Sequence, residues 1–165
     1  MKTIYLVRHA KAGSAHSGDF DRTLNEVGLK AAHFMAELLE EKSVVPDLVI
    51  ASPAIRALTT AEIFCDILGY PKEQIEKRIE IYEGGAGRLL KIVQQIPDNC
   101  TTAMLFGHNP TMTAFSNLLS RDGIVSLATC AVARIDLHIK SWGDAEAETG
   151  EACLARLPKK APVRG

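Results

Sequence analysis

The sequence predicts an α/β fold: a three-layer α/β/α sandwich with a mostly parallel central sheet flanked by helices. Three observations lead there. Apolar runs of four or five residues alternate with stretches of helical periodicity over most of the chain. Strands that alternate with helices need crossover connections, which pair the strands in parallel and cover both faces of the sheet. The length of 165 residues corresponds to one domain, large enough to bury about 68–70% of its unfolded surface without staples.

Residues 4–7 form the first apolar run and 47–51 the second; 79–82 is a weaker third and 103–106 a fourth. Between the first two, residues 24–42 place Val27, Ala31, Phe34 or Met35 and Leu38 at helical spacing. Thr23 with Glu26 three residues on fits a capping box at the start of that helix. Ser52-Pro53 then opens another, with serine as N-cap and proline in the first turn. Ile55, Leu58, Ile63, Phe64 and Ile67 supply its apolar face, and Gly69 ends it. Residues 87–95 and 111–119 are two further helices. Residues 130–139 and 153–157 read as late strands around a turn containing Trp142-Gly143. No repeat or composition break marks a second domain, so residues 1–157 form a single domain and 158–165 a solvated, flexible tail.

Composition narrows the function classes. Hydrophobic residues make up 47% and charged ones 24%, ordinary globular usage that argues against disorder. A formal net charge of −1 provides no global field for nucleic acid or anionic membrane, so neither is an expected partner. The apolar run before Arg8 is shorter than the core of a signal peptide, about 7–15 residues, and no stretch reads as a membrane span. The expected address is the cytoplasm. Cys65, Cys100, Cys130 and Cys153 form no CxxC pair and sit in apolar stretches, as free buried thiols do.

Ligands in such sheets bind beyond the carboxyl ends of the strands. There the sequence delivers Arg8-His9 after the first run, Ser52 to Arg56 after the second, Glu83 after the third and Gly107-His108-Asn109-Pro110 after the fourth. Two arginines, two histidines and one carboxylate thus converge on one edge. Guanidinium forks match tetrahedral oxyanions, phosphate above all. A neutral imidazole is a nucleophile near pH 7, and a second, protonated one stabilises charge on a transferring phosphoryl group. Glu83, if buried, could protonate a leaving oxygen. Two imidazoles and a carboxylate also suit a metal, but HExxH-type spacing is lacking and arginines would repel a cation. Phosphoryl transfer through histidine is favoured, with no metal or other cofactor. The run Gly84-Gly85-Ala86-Gly87 is no dinucleotide fingerprint, and His16, His33 and His138 acquire no role.

Leu6-Val7-Arg8-His9-Ala10, the segment 52–61 with Arg56, and Gly107-His108-Asn109-Pro110, in this order and spacing, resemble the histidine phosphatase superfamily, which includes phosphoglycerate mutase. Most members have Arg-His-Gly where Ala10 stands here. Ala10, the short chain and the stretch 21–28 are similar to the SixA-like branch, described as phosphohistidine phosphatases. The resemblance covers about residues 1–135. It implies a phosphoglycerate mutase-like fold, His9 as the phosphorylated nucleophile, and Arg8, Arg56 and His108 around the phosphate. Arg22 is a further phosphate ligand by the same resemblance, and Glu83 occupies the place of the acid in mutases and broad phosphatases. The implied activity is metal-independent hydrolysis of phosphohistidine in a protein. The alternatives are a small phosphomonoester as substrate, or a catalytically silent module that binds phosphate or a phosphoprotein.

Overall fold

The computed structural model describes residues 1–14, 17–123 and 126–156. Leu157 and the tail expected at 158–165 lie outside these residues. The elements run β1 (Lys2–Arg8), α1 (Glu26–Glu41), β2 (Leu48–Ala51), α2 (Ile55–Leu68), β3 (Glu76–Lys77), α3 (Glu80–Glu83), α4 (Ala86–Gln94), β4 (Thr102–Gly107), α5 (Thr111–Leu119), β5 (Val132–Leu137) and β6 (Gly150–Ala155). One six-stranded sheet has the order β3-β2-β4-β1-β5-β6. The first four strands in that order are mutually parallel, and β5 and β6 extend the sheet antiparallel.

Alternation along the central strands sends side chains to two cores. Ile4 and Leu6 of β1, with Ala103 and Leu105 of β4, pack on one face with Leu89, Ile92 and Val93 of α4 and Met112, Phe115 and Leu119 of α5. Tyr5 and Val7, with Met104 and Phe106, pack on the other face with Ala32, Met35 and Ala36 of α1 and Ala61 and Phe64 of α2. The result is the expected three layers. Among the described residues no helix is long and apolar enough to cross a membrane.

Several local expectations are corrected. Residues 79–82 are not a strand. The third strand is the two-residue edge Glu76–Lys77, because β2 ends at Ala51 and leaves no partner beyond the Arg78 N–H to Ala51 O bond. The chain turns into α3 there; Ile81 is buried but Ile79 is 42% exposed, so the alternating isoleucines do not form a second apolar face. The cap of α1 is Asn25 rather than Thr23: its side chain accepts from the Gly28 N–H at 2.8 Å. Residues 23–25 are held extended against residues 11–13, so the helix starts later than a cap at Thr23 would place it. The N-cap position of α2 is Ala54, not Ser52. Its buried face is Arg56, Ala57, Thr60, Ala61, Phe64 and Cys65, with Ile55, Leu58, Ile63 and Ile67 only partly covered. All four thiols are free, but Cys153 is exposed and Cys100 only partly buried.

Candidate functional site

Strand register builds the site. Arg8, the last residue of β1, lies opposite Gly107, the last of β4, so His9 and His108 leave adjacent parallel strands side by side. The His9 N–H bonds to Gly107 O, and the Ser52 N–H to Phe106 O, which brings the end of β2 level with the other two. The two imidazole centroids are 5.3 Å apart at an interplanar angle of 54°. Three of the four expected strand ends therefore meet as the topology requires.

His9 is 8% exposed, and its Nδ1 lies 2.7 Å from Ala10 O. A carbonyl can only accept, so in the neutral ring the proton is on Nδ1 and the lone pair on Nε2. Burial, reinforced by the charges of Arg56, Arg8 and Arg22 and opposed by the Ala10 bond, lowers the His9 pKa to about 4. His108 is lowered to about 3 by burial, then by Arg56 and His9, with Asp19 acting in the opposite sense. Both rings are neutral at pH 7. His108 Nε2 lies 2.8 Å from Ser52 Oγ, which also accepts the Ala54 N–H at 3.2 Å. Ser52 thus orients an imidazole instead of capping a helix.

The arginines surround this pair. Arg8 donates through Nη1 to Leu127 O at 3.0 Å, and Asn109 Nδ2 donates to the same carbonyl at 2.8 Å, so the loop after β4 and the end of β1 share one anchor. The Cys130 N–H donates to the carbonyls of Arg8 and His9 with φ at +63°, further fixing this corner. Arg56 is buried at the start of α2 and engages Asp19, as does the half-exposed Arg22. Among the described residues, three buried side-chain nitrogens have no hydrogen-bond partner: Arg8 Nε, Arg56 Nε and His108 Nδ1. All three belong to this site. Buried polar groups are seldom left unmet, and an anion with several oxygens would satisfy the two guanidinium donors.

Glu83 stands apart. It ends α3, and its side chain is exposed and has no hydrogen-bond or ion-pair partner among the described residues. No cluster of three or more His, Cys, Asp or Glu side chains able to hold a metal occurs among the described residues. His33 is exposed on α1, His138 is exposed 3.7 Å from the Glu151 carboxylate, and His16 lies outside the described residues. The sequence reading missed Ser52 as a partner of His108, and missed Asp19 and Tyr82 altogether. Tyr82 sets its ring edge-on to His108 at 5.5 Å, stacks edgewise on Phe20 at 5.1 Å, and donates to Asp19 Oδ2 at 2.8 Å. Only the pairing of Asp19 with Arg22 three residues later was visible as a local signal.

The family model of the histidine phosphatase superfamily (branch 1) matches residues 4–104. Over 81 residues the chain is 36% identical to the mitochondrial serine/threonine-protein phosphatase Pgam5 of Drosophila ananassae; that match spans 49% of this chain and 28% of that longer protein. Among solved structures, a candidate phosphohistidine phosphatase SixA from Nakamurella multipartitia superposes with a TM-score of 0.81 at 28% identity, covering 96% of this chain and 97% of that one. Another from Agrobacterium tumefaciens gives 0.72 at 31% identity, covering 82% and 91% respectively.

Proposed function

From the premise that the chain belongs to the histidine phosphatase superfamily (branch 1), and is a hydrolase of that class, we propose that it removes phosphate from phosphohistidine carried on a protein, through a phosphorylated His9. One observation carries this reading: a neutral imidazole with its lone pair on Nε2 sits among buried nitrogens of Arg8, Arg56 and His108 that lack partners. Likeness to the two SixA structures supports the substrate class.

Arg8 and Arg56, with Arg22 at the rim, would hold the phosphoryl oxygens. His9 Nε2 attacks phosphorus in line, and the bond from phosphorus to the substrate imidazole nitrogen breaks with its electron pair. The substrate ring leaves as a neutral imidazole when its other nitrogen carries a proton, so an exposed Glu83 suits this substrate better than an alkyl phosphate, whose alkoxide needs an acid. A substrate dianion beside His108 would favour its protonated form and turn Nδ1 or Nε2 into a donor toward the developing charge. Water then attacks phosphorus and breaks its bond to His9. Free His9 and inorganic phosphate result.

The test is single-turnover labelling in excess EDTA, with a phosphohistidine carrier protein, with p-nitrophenyl phosphate and with an alkyl phosphate. The expected result is turnover together with an acid-labile phosphate on His9, both lost in His9→Ala. Labelling that persists in His9→Ala overturns the assignment of the nucleophile. Turnover of alkyl phosphates in preference to the carrier protein would make a small phosphomonoester the substrate.

A further inference from the structure

One carboxylate ties the site together, and its role rests on the phosphatase reading above. Asp19 lies in a single 3-10 turn, Asp19–Asp21, in the segment between β1 and α1. Its side chain is 51% exposed, yet the Arg56 side chain it meets is only 7% exposed. Asp19 O accepts from Arg56 Nη1 at 2.7 Å, and Oδ2 accepts from Nη2 at 2.9 Å. Both terminal nitrogens of the guanidinium are thus engaged, while Nε stays buried and unpartnered. Asp19 Oδ1 accepts from Arg22 Nη1 at 3.2 Å, and Arg22 Nε is tied in turn to Gly13 O at 2.9 Å. The Tyr82 phenol donates to Oδ2. Three parts of the chain, the segment after β1, the start of α2 and α3, are joined through this one group.

We propose that Asp19 is a positioning residue, which grips Arg56 from its solvent side, and Arg22 and Tyr82 with it, so that the phosphate-binding edge of Arg56 is set before substrate arrives. An arginine has many rotamers, and bidentate recognition of phosphate needs its plane fixed. Three guanidiniums around one pocket also repel each other, and one carboxylate on their outer side offsets part of that repulsion without entering the phosphate position. The Tyr82 bond, followed by those from Arg56 and Arg22, holds the Asp19 carboxyl down at about 2, so the grip persists across the working pH range.

The experiment measures p-nitrophenyl phosphate turnover and the affinity for inorganic phosphate in wild type, Asp19→Ala, Asp19→Asn, Arg56→Ala and the double variant Asp19→Ala/Arg56→Ala. Misplacement of a binding group by about 1 Å can cost about 10²-fold, so Asp19→Ala should lose about 10- to 100-fold in kcat/KM and bind phosphate more weakly. Asp19→Asn keeps one acceptor oxygen and should recover part of the loss. If Asp19 acts through Arg56, removing it in the Arg56→Ala background should cost less than about 3-fold. An equal loss in both backgrounds would assign Asp19 to the fold instead. Tighter phosphate binding in both Asp19→Ala and Asp19→Asn would make it a competing anion, and would also overturn the proposal. A wild type that binds phosphate without turnover fails the phosphatase reading alone, since phosphate affinity across the variants still reports on Asp19. A wild type that neither binds nor turns over removes both.

Discussion

Lowering the pH from 7 to 5 should destabilise the folded chain through its two site imidazoles. In the unfolded chain each has an ordinary pKa of about 6.5. Folded, His9 is lowered to about 4 and His108 to about 3, chiefly by burial. Within this window the unfolded chain binds more protons than the folded one, so stability falls as pH falls. The loss begins near pH 6.5 and levels off below about 4 for His9 and about 3 for His108. At pH 5 both folded rings are still neutral, so the cost is set by protonation of the unfolded chain, about 2 kcal/mol per imidazole relative to pH 7 and about 4 kcal/mol for the pair. Asp19, held at about 2, contributes stability that is present at both pH values and is lost only as pH falls from the ordinary aspartate value toward 2, outside this interval. Urea unfolding followed through Trp142, the sole tryptophan and fully buried, measures the difference at the two pH values. His108→Asn should remove about half of the pH-dependent loss. A wild-type midpoint that does not move between pH 7 and 5, or a loss that is undiminished in His108→Asn, would refute the reasoning.

The same shift bears on turnover: kcat/KM should fall in acid only as pH drops through about 4, where His9 gains its proton, and an acid limb near 6.5 in the pH profile would contradict it. Arg56→Ala should cost at least about 10²-fold in kcat, measured by steady-state kinetics on p-nitrophenyl phosphate, because charge stabilisation is lost while His9 remains. Glu83→Gln should change phosphohistidine hydrolysis by less than about 3-fold; a loss of about 10²–10⁴-fold confined to alkyl phosphates would restore Glu83 as their general acid. Gly28→Ala would drive a Cβ into the Lys11 carbonyl, which is backbone and cannot swing away. It should lower the urea-unfolding stability by about 1–3 kcal/mol and weaken phosphate binding, since Lys11 is two residues from His9.

Particular residues show what kind of information the chain carries openly. The central strands were legible because each is an unbroken apolar run buried on both faces, and the end of α2 because Gly69 adopts φ +79° there, whereas the start and buried face of that helix differ from those its sequence signals picked out. Residues 79–82 misled because alternating isoleucines look the same in an edge strand and in a single helical turn. What separates the two is whether a neighbouring strand is still present to bond. The cap at Asn25 was hidden for a related reason: Thr23 offers the same chemistry, and only the pairing of residues 23–25 with 11–13 decides where the helix starts.

The candidate site divides the same way. Arg8, His9, Arg56 and His108 could be found from sequence because each ends a strand, directly follows one or opens the helix after it, and parallel pairing obliges those ends to lie together. Asp19, Ser52 as a partner of His108, Tyr82, and the shared carbonyl of Leu127 could not, because their partners lie 37, 56, 63 and 119 residues away along the chain. Sequence by itself determined which side chains the sheet carries to its edge, since that follows from local apolar pattern and the rules of strand connection. Tertiary structure alone decided how they are held and charged. Hydrogen-bond partners come from loops that no local pattern brings together, and the neutrality of His9 and His108 follows from burial beside guanidiniums, which exists only once the chain is folded.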